Sequence, residues 1–160
     1  MNVEFMLNGE GVIAQVNENI RLIDMLRNTF GLIGAKSGCS FGICGACTIV
    51  FNGKVTKSCL IPAFRANFGE IITIESFAET EAYKDIIKGF EKAGVENCGY
   101  CDTGKIFIAE TILSKNRQPD RKEILTGFSG THCRCTETES LVYGVLYAAD
   151  IRQRRIYGRS

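Results

Sequence analysis

The chain has 160 residues, of which 45% are hydrophobic and 23% charged, a composition typical of one or two folded globular domains. Its net charge of +1 gives no general attraction to nucleic acids or anionic membranes. No segment has the roughly 18 consecutive apolar residues of a membrane-spanning helix, and no signal peptide is expected from the N-terminal sequence. We therefore expect the eight cysteines to lie in the cytoplasm, where reduced thiols bind metals more often than they form disulfides.

Segments with β-strand character dominate the first half of the chain. Two pairs of these segments flank Asn8-Gly9-Glu10-Gly11 and Asn52-Gly53, sequences that favour the turn of a β-hairpin. A small mixed sheet is therefore predicted for this half. The predicted strands cover 3–7, 12–16, 48–51, 54–57 and 71–75.

Helical periodicity occurs once in the first half and dominates after residue 80. Asp120 with Glu123, and Thr136 with Glu139, have the spacing of capping boxes that begin a helix. The pattern predicts an α+β fold, with a β-grasp, ferredoxin-like domain over 1–76 and a helical bundle over 77–160. The apolar stripes of the predicted helices lie within 22–30, 81–93, 106–113 and 141–149.

The first four cysteines have the spacing C-x4-C-x2-C followed by a distant cysteine, the pattern of a plant-type [2Fe–2S] site. Glycines between them allow the backbone to approach a metal centre closely, so that amide N–H groups can point at its sulfurs. Structural zinc sites usually pair their cysteines differently, and the zinc interpretation fits this spacing poorly. The predicted ligands are Cys39, Cys44, Cys47 and Cys59.

The other four cysteines form a C-x2-C and a C-x-C on separate segments, each just before a predicted helix. Their spacing alone fits a zinc site as well as an iron–sulfur cluster. The positive end of a helix dipole at each N-terminus favours a negatively charged centre. Two complete sets of four leave no spare thiol, which favours two metal centres. The second predicted set is Cys98, Cys101, Cys133 and Cys135.

Several motifs together resemble the small iron–sulfur subunit of the molybdenum hydroxylases, the family of xanthine dehydrogenase, aldehyde oxidoreductase and carbon monoxide dehydrogenase. The resemblance covers nearly the whole chain and includes motif order as well as spacing. The motifs are Leu7-Asn8-Gly9, the segment 38–48, Cys98-Gly99-Tyr100-Cys101 and the segment 130–136.

This resemblance implies an electron-transfer subunit that carries two [2Fe–2S] clusters and performs no substrate chemistry itself. It implies a large partner subunit that binds a molybdopterin cofactor and a further subunit that binds FAD, or another electron acceptor. No nucleic-acid partner is implied. By the same resemblance, Asn97 and Cys135 are candidate contacts of the pterin.

The chain departs from the usual family pattern around the cysteines. Phe41 stands where the family usually has Glu, and Asn97 stands where it usually has Gln. The segment 102–105 reads Asp-Thr-Gly-Lys instead of Thr-Pro-Gly-Met, and 136–138 reads Thr-Glu-Thr instead of Thr-Gly-Tyr. These differences favour a divergent subfamily with an altered cofactor contact over loss of the molybdenum partner.

Two other functions remain compatible with the cysteine pattern alone. One is a zinc-binding interaction module without a redox role, and the other is a stand-alone ferredoxin with two clusters. Visible absorption separates clusters from zinc, and co-purification with larger subunits separates a subunit from a stand-alone carrier.

Overall fold

The computed structural model describes residues 1–131 and 134–158. Within these residues, a five-stranded sheet is followed by a group of packed helices, with one helix placed between the two hairpins of the sheet. The elements are β1 (Asn2–Leu7), β2 (Glu10–Gln15), α1 (Leu22–Asn28), β3 (Thr48–Phe51), β4 (Lys54–Lys57), β5 (Glu70–Ile72), α2 (Ile74–Phe77), α3 (Glu81–Lys92), α4 (Asp102–Lys115), α5 (Arg121–Phe128) and α6 (Thr138–Tyr157).

The sheet is mixed and has the strand order β2-β1-β5-β3-β4. The strands β1 and β5 run parallel, and the other neighbouring pairs are antiparallel. Both predicted hairpins are present. Asn8 and Gly9 have φ of 54° and 87°, and Asn52 and Gly53 have φ of 49° and 74°. Positive φ at both central residues is the geometry that matches the twist of a two-residue hairpin.

The first hydrophobic core lies between the sheet and α1. In β1 every second residue is buried, because successive side chains of a strand point to opposite faces. These side chains pack with those of α1, and each large apolar side chain buried here stabilises the fold by roughly 1.5–3 kcal/mol. The main contributors are Val3, Phe5, Leu7, Leu22, Met25, Leu26, Ile49 and Ile71.

The predicted third β-rich run is only partly correct. The strand β5 ends at Ile72, and the chain then enters α2 at Ile74. The cause is a long-range contact: the Thr73 amide donates to Asn8 Oδ1 at 2.8 Å, and Asn8 Nδ2 donates to Thr73 Oγ1 at 3.0 Å. The side chain of Asn8, in the turn of the first hairpin, therefore binds Thr73 directly after the end of β5.

The second hydrophobic core lies among the helices, and α4 is central to it. One side of α4 packs against β3 and β4, and other parts contact α3, α5 and α6. Helices α3 and α6 approach closely at Gly89, where an added Cβ would lie 2.5 Å from the Gly144 carbonyl oxygen. The buried residues include Ile86, Phe90, Ile106, Ile112, Leu113, Ile124, Leu141, Val142 and Val145.

One of the two predicted capping boxes is correct. Asp120 caps α5, its side chain accepting from the Glu123 amide at 2.8 Å, and the Glu123 side chain completes the box. The box predicted for Thr136 and Glu139 is wrong, because the N-cap of α6 is Glu137 and the helix begins at Thr138, one residue later than the box requires. The Thr136 hydroxyl instead donates to the Glu96 carbonyl oxygen at 2.6 Å, which fixes it to the segment before the C-x2-C motif.

The basic end of α6 is held by carboxylates on neighbouring helices. Asp85 of α3 is almost fully buried and accepts from Arg155 at 2.6 Å. Arg152 lies 3.4 Å from Asp85 and 2.6 Å from Glu110 of α4. These arginines therefore connect three helices. Among the helices of the described residues, none has both the length and the apolar character needed to cross a membrane.

Candidate metal centres

The first cysteine site begins with a thiol surrounded by backbone donors. Cys39 Sγ accepts from the amides of Cys44 at 3.4 Å, Phe41 at 3.4 Å and Ile43 at 3.2 Å. These N–H groups stabilise the thiolate and lower the pKa of Cys39 to about 6. The loop thus directs its amides toward a sulfur atom, as a negatively charged metal centre requires.

Two further thiols of this site lie side by side in a buried position. The Sγ atoms of Cys47 and Cys59 are 3.3 Å apart, and Ile23 of α1 packs against both residues. A disulfide would bring the sulfurs to about 2.05 Å. Two thiolates on one tetrahedral metal, with bonds of about 2.3 Å, lie about 3.7 Å apart. Burial raises the pKa of the Cys47 thiol to about 11, so this thiol needs a metal to lose its proton at neutral pH.

The second hairpin brings Cys59 to the loop. Thr48 pairs with Lys57 in the register of β3 and β4, which places the residues on either side of the hairpin next to each other. Ser58 then donates to the Cys47 carbonyl oxygen, from its amide at 3.1 Å and from its hydroxyl at 2.7 Å. The Thr48 hydroxyl donates to the Gly45 carbonyl oxygen at 2.6 Å and closes the loop from inside.

The second cysteine site is formed by the segments before α4 and α6. The Sγ atoms of Cys98, Cys101 and Cys135 all lie within 4.8 Å of one another. Cys101 is the N-cap of α4, so the site lies at the positive end of that helix. The predicted fourth ligand, Cys133, lies outside the described residues.

Hydrogen bonds also favour a thiolate at the second site. The pKa of Cys98 is lowered because the Tyr100 amide donates to its sulfur, with further donation from the Cys135 side chain and the Cys101 amide. The pattern is the same as at Cys39, with donors from residues that follow the cysteine. Both sites therefore offer thiols together with N–H donors, and this donor set fits an iron–sulfur cluster.

Three residues at or next to the thiols of the second site differ in their surroundings. Asn97 is exposed next to Cys98, and Cys135 is half-buried. Asp102 is the first residue of α4, directly after the N-cap residue Cys101. Its Oδ2 accepts from the Gly99 amide at 2.7 Å, within the C-x2-C loop.

The two sites contact each other, a relationship that sequence reasoning missed. Tyr100 lies between two cysteines of the second site, and its hydroxyl donates to the Ser37 carbonyl oxygen at 3.3 Å, beside the first site. A Cβ added at Gly38 would lie 2.8 Å from both the Tyr100 ring and Cys44 Sγ. Glycine at position 38 therefore allows the ring to approach the first cysteine loop. No spacing rule links residues so far apart in the chain.

Two neighbouring thiol sites with directed backbone donors define an iron–sulfur electron-transfer protein. Comparisons with known proteins agree. Residues 12–94 match the family described as a 2Fe-2S iron-sulfur cluster binding domain, and residues 73–146 match the family described as a [2Fe-2S] binding domain.

Relatives and solved structures match over nearly the whole chain. The nicotinate dehydrogenase small FeS subunit of Eubacterium barkeri is 40% identical over 150 residues, which are 94% of this chain and 96% of the relative. The xanthine dehydrogenase iron-sulfur-binding subunit of Escherichia coli O157:H7 is 33% identical, over 91% and 92% of the two chains. The crystal structure of quinoline 2-oxidoreductase from Pseudomonas putida 86 matches with a TM-score of 0.86 at 33% identity, over 99% and 98%.

The chain belongs to the family of small iron–sulfur subunits of the molybdenum hydroxylases. It binds [2Fe–2S] clusters and acts as an electron-transfer subunit of an oxidoreductase. The zinc-module and stand-alone ferredoxin hypotheses are not favoured by these findings.

Proposed function

We propose that this chain passes electrons from a large, molybdopterin-binding subunit, through two [2Fe–2S] clusters, to an FAD-binding subunit or another acceptor. The observation that carries the proposal is the contact between the two thiol sites through Tyr100 and Gly38. A bound [2Fe–2S] cluster takes up and releases one electron at a time. Electron transfer between two such centres requires them to be close, and this contact brings their ligand loops together.

We propose all eight cysteines as ligands. In the first site, the 3.3 Å separation of Cys47 and Cys59 supports a shared iron for these two. The side chains of Cys39 and Cys44 also contact each other, which supports the second iron for that pair. In the second site, Cys98, Cys101 and Cys135 converge, and Cys133 is the fourth proposed ligand.

We also propose the division into two cluster-binding domains. The β-grasp, ferredoxin-like domain covers 1–76 and carries the first site, and the helical-bundle domain covers 77–160 and carries the second. Separate hydrophobic cores for the sheet with α1 and for the later helices support this division.

The protein's own residues control the charge of the sites. Backbone N–H groups donate to Cys39 and Cys98 and stabilise negative sulfur. Burial of Cys47 and Cys59 keeps water away from one side of the first site. Both effects tune the reduction potential of a bound cluster.

Partner subunits are proposed from relatives and from the surface near the first site. The names of relatives describe small FeS or iron-sulfur-binding subunits of dehydrogenases. Phe41 and Ile43 on the first cysteine loop are exposed by 78% and 51%, which fits a surface covered by a partner.

Asn97 keeps an amide beside Cys98 for the pterin contact, and Cys135 is the other proposed contact. A cytoplasmic complex is also proposed, because clustered thiols stay reduced in that compartment.

The proposal is tested by metal analysis and spectroscopy of the anaerobically isolated complex. Four iron atoms per chain, visible absorption and two electron paramagnetic resonance signals after reduction are expected. Cys59→Ser should remove one signal and Cys135→Ser the other, so that each variant is the control for its counterpart. Zinc in place of iron, or loss of both signals in each variant, would contradict the proposal.

A further inference from the structure

Lys105 is a fully buried lysine in the first turns of α4. Lysine is almost never fully buried without partners, because removing its ammonium from water is costly. Here the Nζ atom donates to the Glu96 carbonyl oxygen at 2.8 Å and to Thr136 Oγ1 at 3.2 Å. It also lies 3.1 Å from Asp102 Oδ1.

Each partner of this ammonium is close in sequence to a cysteine of the second site. Glu96 precedes Cys98 by two residues, Asp102 directly follows Cys101, and Thr136 directly follows Cys135. The Thr136 hydroxyl also donates to the Glu96 carbonyl oxygen at 2.6 Å. One buried ammonium therefore connects all three segments that carry the described thiols of this site.

Asp102 contributes the opposite charge on the side of the C-x2-C loop. Its second oxygen, Oδ2, accepts from the Gly99 amide at 2.7 Å, inside that loop. The carboxylate side chain is 20% exposed, and the Lys105 side chain is not exposed. Since charges in a weakly polar surrounding interact more strongly than charges in water, both act on any electron added at the thiol site.

We propose that Lys105 is a positioning residue of the second cysteine site, and that the Lys105–Asp102 charge pair sets the reduction potential of the cluster held there. The inference rests on the proposed function, because it needs a redox-active cluster at Cys98, Cys101 and Cys135. Reduction adds one electron and forms or breaks no bond. The ammonium stabilises the added negative charge and raises the potential, whereas the carboxylate lowers it.

The test is a redox titration of the full chain in its complex, with dithionite as reductant and the two cluster signals followed separately. Lys105→Met leaves Asp102 unopposed and should lower the potential of one cluster. Asp102→Asn leaves Lys105 unopposed and keeps an acceptor for the Gly99 amide, so it should raise that potential. Each single variant should change the reduction equilibrium at least tenfold, which is 59 mV for one electron.

The double variant, Lys105→Met with Asp102→Asn, removes both charges and should return the potential close to that of the wild type. Lys115→Met is the matched control, because Lys115 is exposed at the other end of α4, about 15 Å further along the helix. It should shift neither potential. The other cluster should stay unchanged in all variants.

A merely structural role would not give shifts of opposite sign. Shifts in the same direction for both single variants, or unchanged potentials with the clusters in place, would overturn the inference. If Lys105→Met does not retain iron, Asp102→Asn decides: an upward shift supports the inference, and no shift or a downward shift overturns it. Absence of iron from the wild-type chain would instead contradict the proposed function.

Discussion

The backbone of Gly104 lies directly against the backbone of Gly45. A Cβ added at Gly104 would lie 2.7 Å from the Gly45 carbonyl oxygen and 3.3 Å from its Cα. Gly45 belongs to the first cysteine loop, and Gly104 lies in the first turn of α4, after Cys101. The two metal sites are thus separated here by little more than two peptide backbones in contact.

Gly104→Ala should therefore destabilise the protein, even though alanine favours a helix more than glycine does. The new methyl group meets a backbone carbonyl that cannot rotate away, and overpacking of this kind costs about 2 kcal/mol. Chemical denaturation would measure the loss in the free energy of unfolding. Gly130→Ala is the control, since no atom of the described residues lies within 4 Å of a Cβ built there. Equal stability of the two variants would show that the contact is not tight.

Tyr100 should stabilise the contact between the sites through its ring more than through its hydroxyl. The ring lies against Gly38, whereas the hydroxyl makes one exposed hydrogen bond of 3.3 Å to Ser37. Tyr100→Phe should change the unfolding free energy by less than about 1 kcal/mol. Tyr100→Ala should lose iron to a chelator several times faster than the wild type. If Tyr100→Phe loses iron as fast as Tyr100→Ala, the effect belongs to the hydroxyl and not to the ring.

The thiols of the metal-free chain should differ in reactivity with pH. Backbone donation lowers the pKa of Cys39 to about 6, and burial raises that of Cys47 to about 11. Since the thiolate is the nucleophile, Cys39 gains reactivity as the pH rises through 6 and is fully ionised by pH 8. Cys47 stays protonated at that pH. Alkylation at pH 7.5, followed by peptide mass spectrometry, should modify Cys39 first. Preferential modification of Cys47 would contradict this order.

Asp85→Asn should destabilise the packing of α3 against α6. The carboxylate is 3% exposed and binds Arg155 at 2.6 Å, so its loss leaves arginine charge without its buried partner. Because Arg155 is 37% exposed, the loss should be smaller than for a fully buried ion pair, but larger than for a pair exposed on both sides. Asp150→Asn makes the same substitution at an exposed pair with Arg154 and should cost less than about 1 kcal/mol. Denaturation curves of the two variants would show the difference. Comparable losses in the free energy of unfolding would contradict the expectation that the buried carboxylate contributes more.

Local patterns in the sequence predicted the elements that local interactions determine. Asn52-Gly53 predicted the second hairpin with the observed strand bounds, because a two-residue turn fixes both φ angles and register. Asp120 and Glu123 predicted the start of α5 for a similar reason, as both hydrogen bonds lie within one turn. The cysteine spacing grouped Cys98, Cys101 and Cys135, whose Sγ atoms lie within 4.8 Å of one another, and the assignment of all eight cysteines as ligands stays a prediction.

Contacts between distant residues could not be predicted in the same way. Thr136 has the spacing of a capping residue, but its hydroxyl binds Glu96, 40 residues earlier. Arg155 of α6 binds Asp85, 70 residues away. Lys105 lies in a segment that departs from the family pattern, but its complete burial depends on three segments meeting around it. Composition and periodicity contain no information on contacts between residues that are distant in sequence.

The second hairpin also has a consequence for the order in which the two centres are built. It returns Cys59 to Cys47 only 12 residues later, so the four cysteines proposed for the first site are all synthesised before any residue of α3. Cys98 and Cys135, by contrast, have the whole of α4 and α5 between them. A nascent chain leaving the ribosome thus presents one complete set of proposed ligands well ahead of the other. Maturation can begin at the N-terminal centre while translation continues.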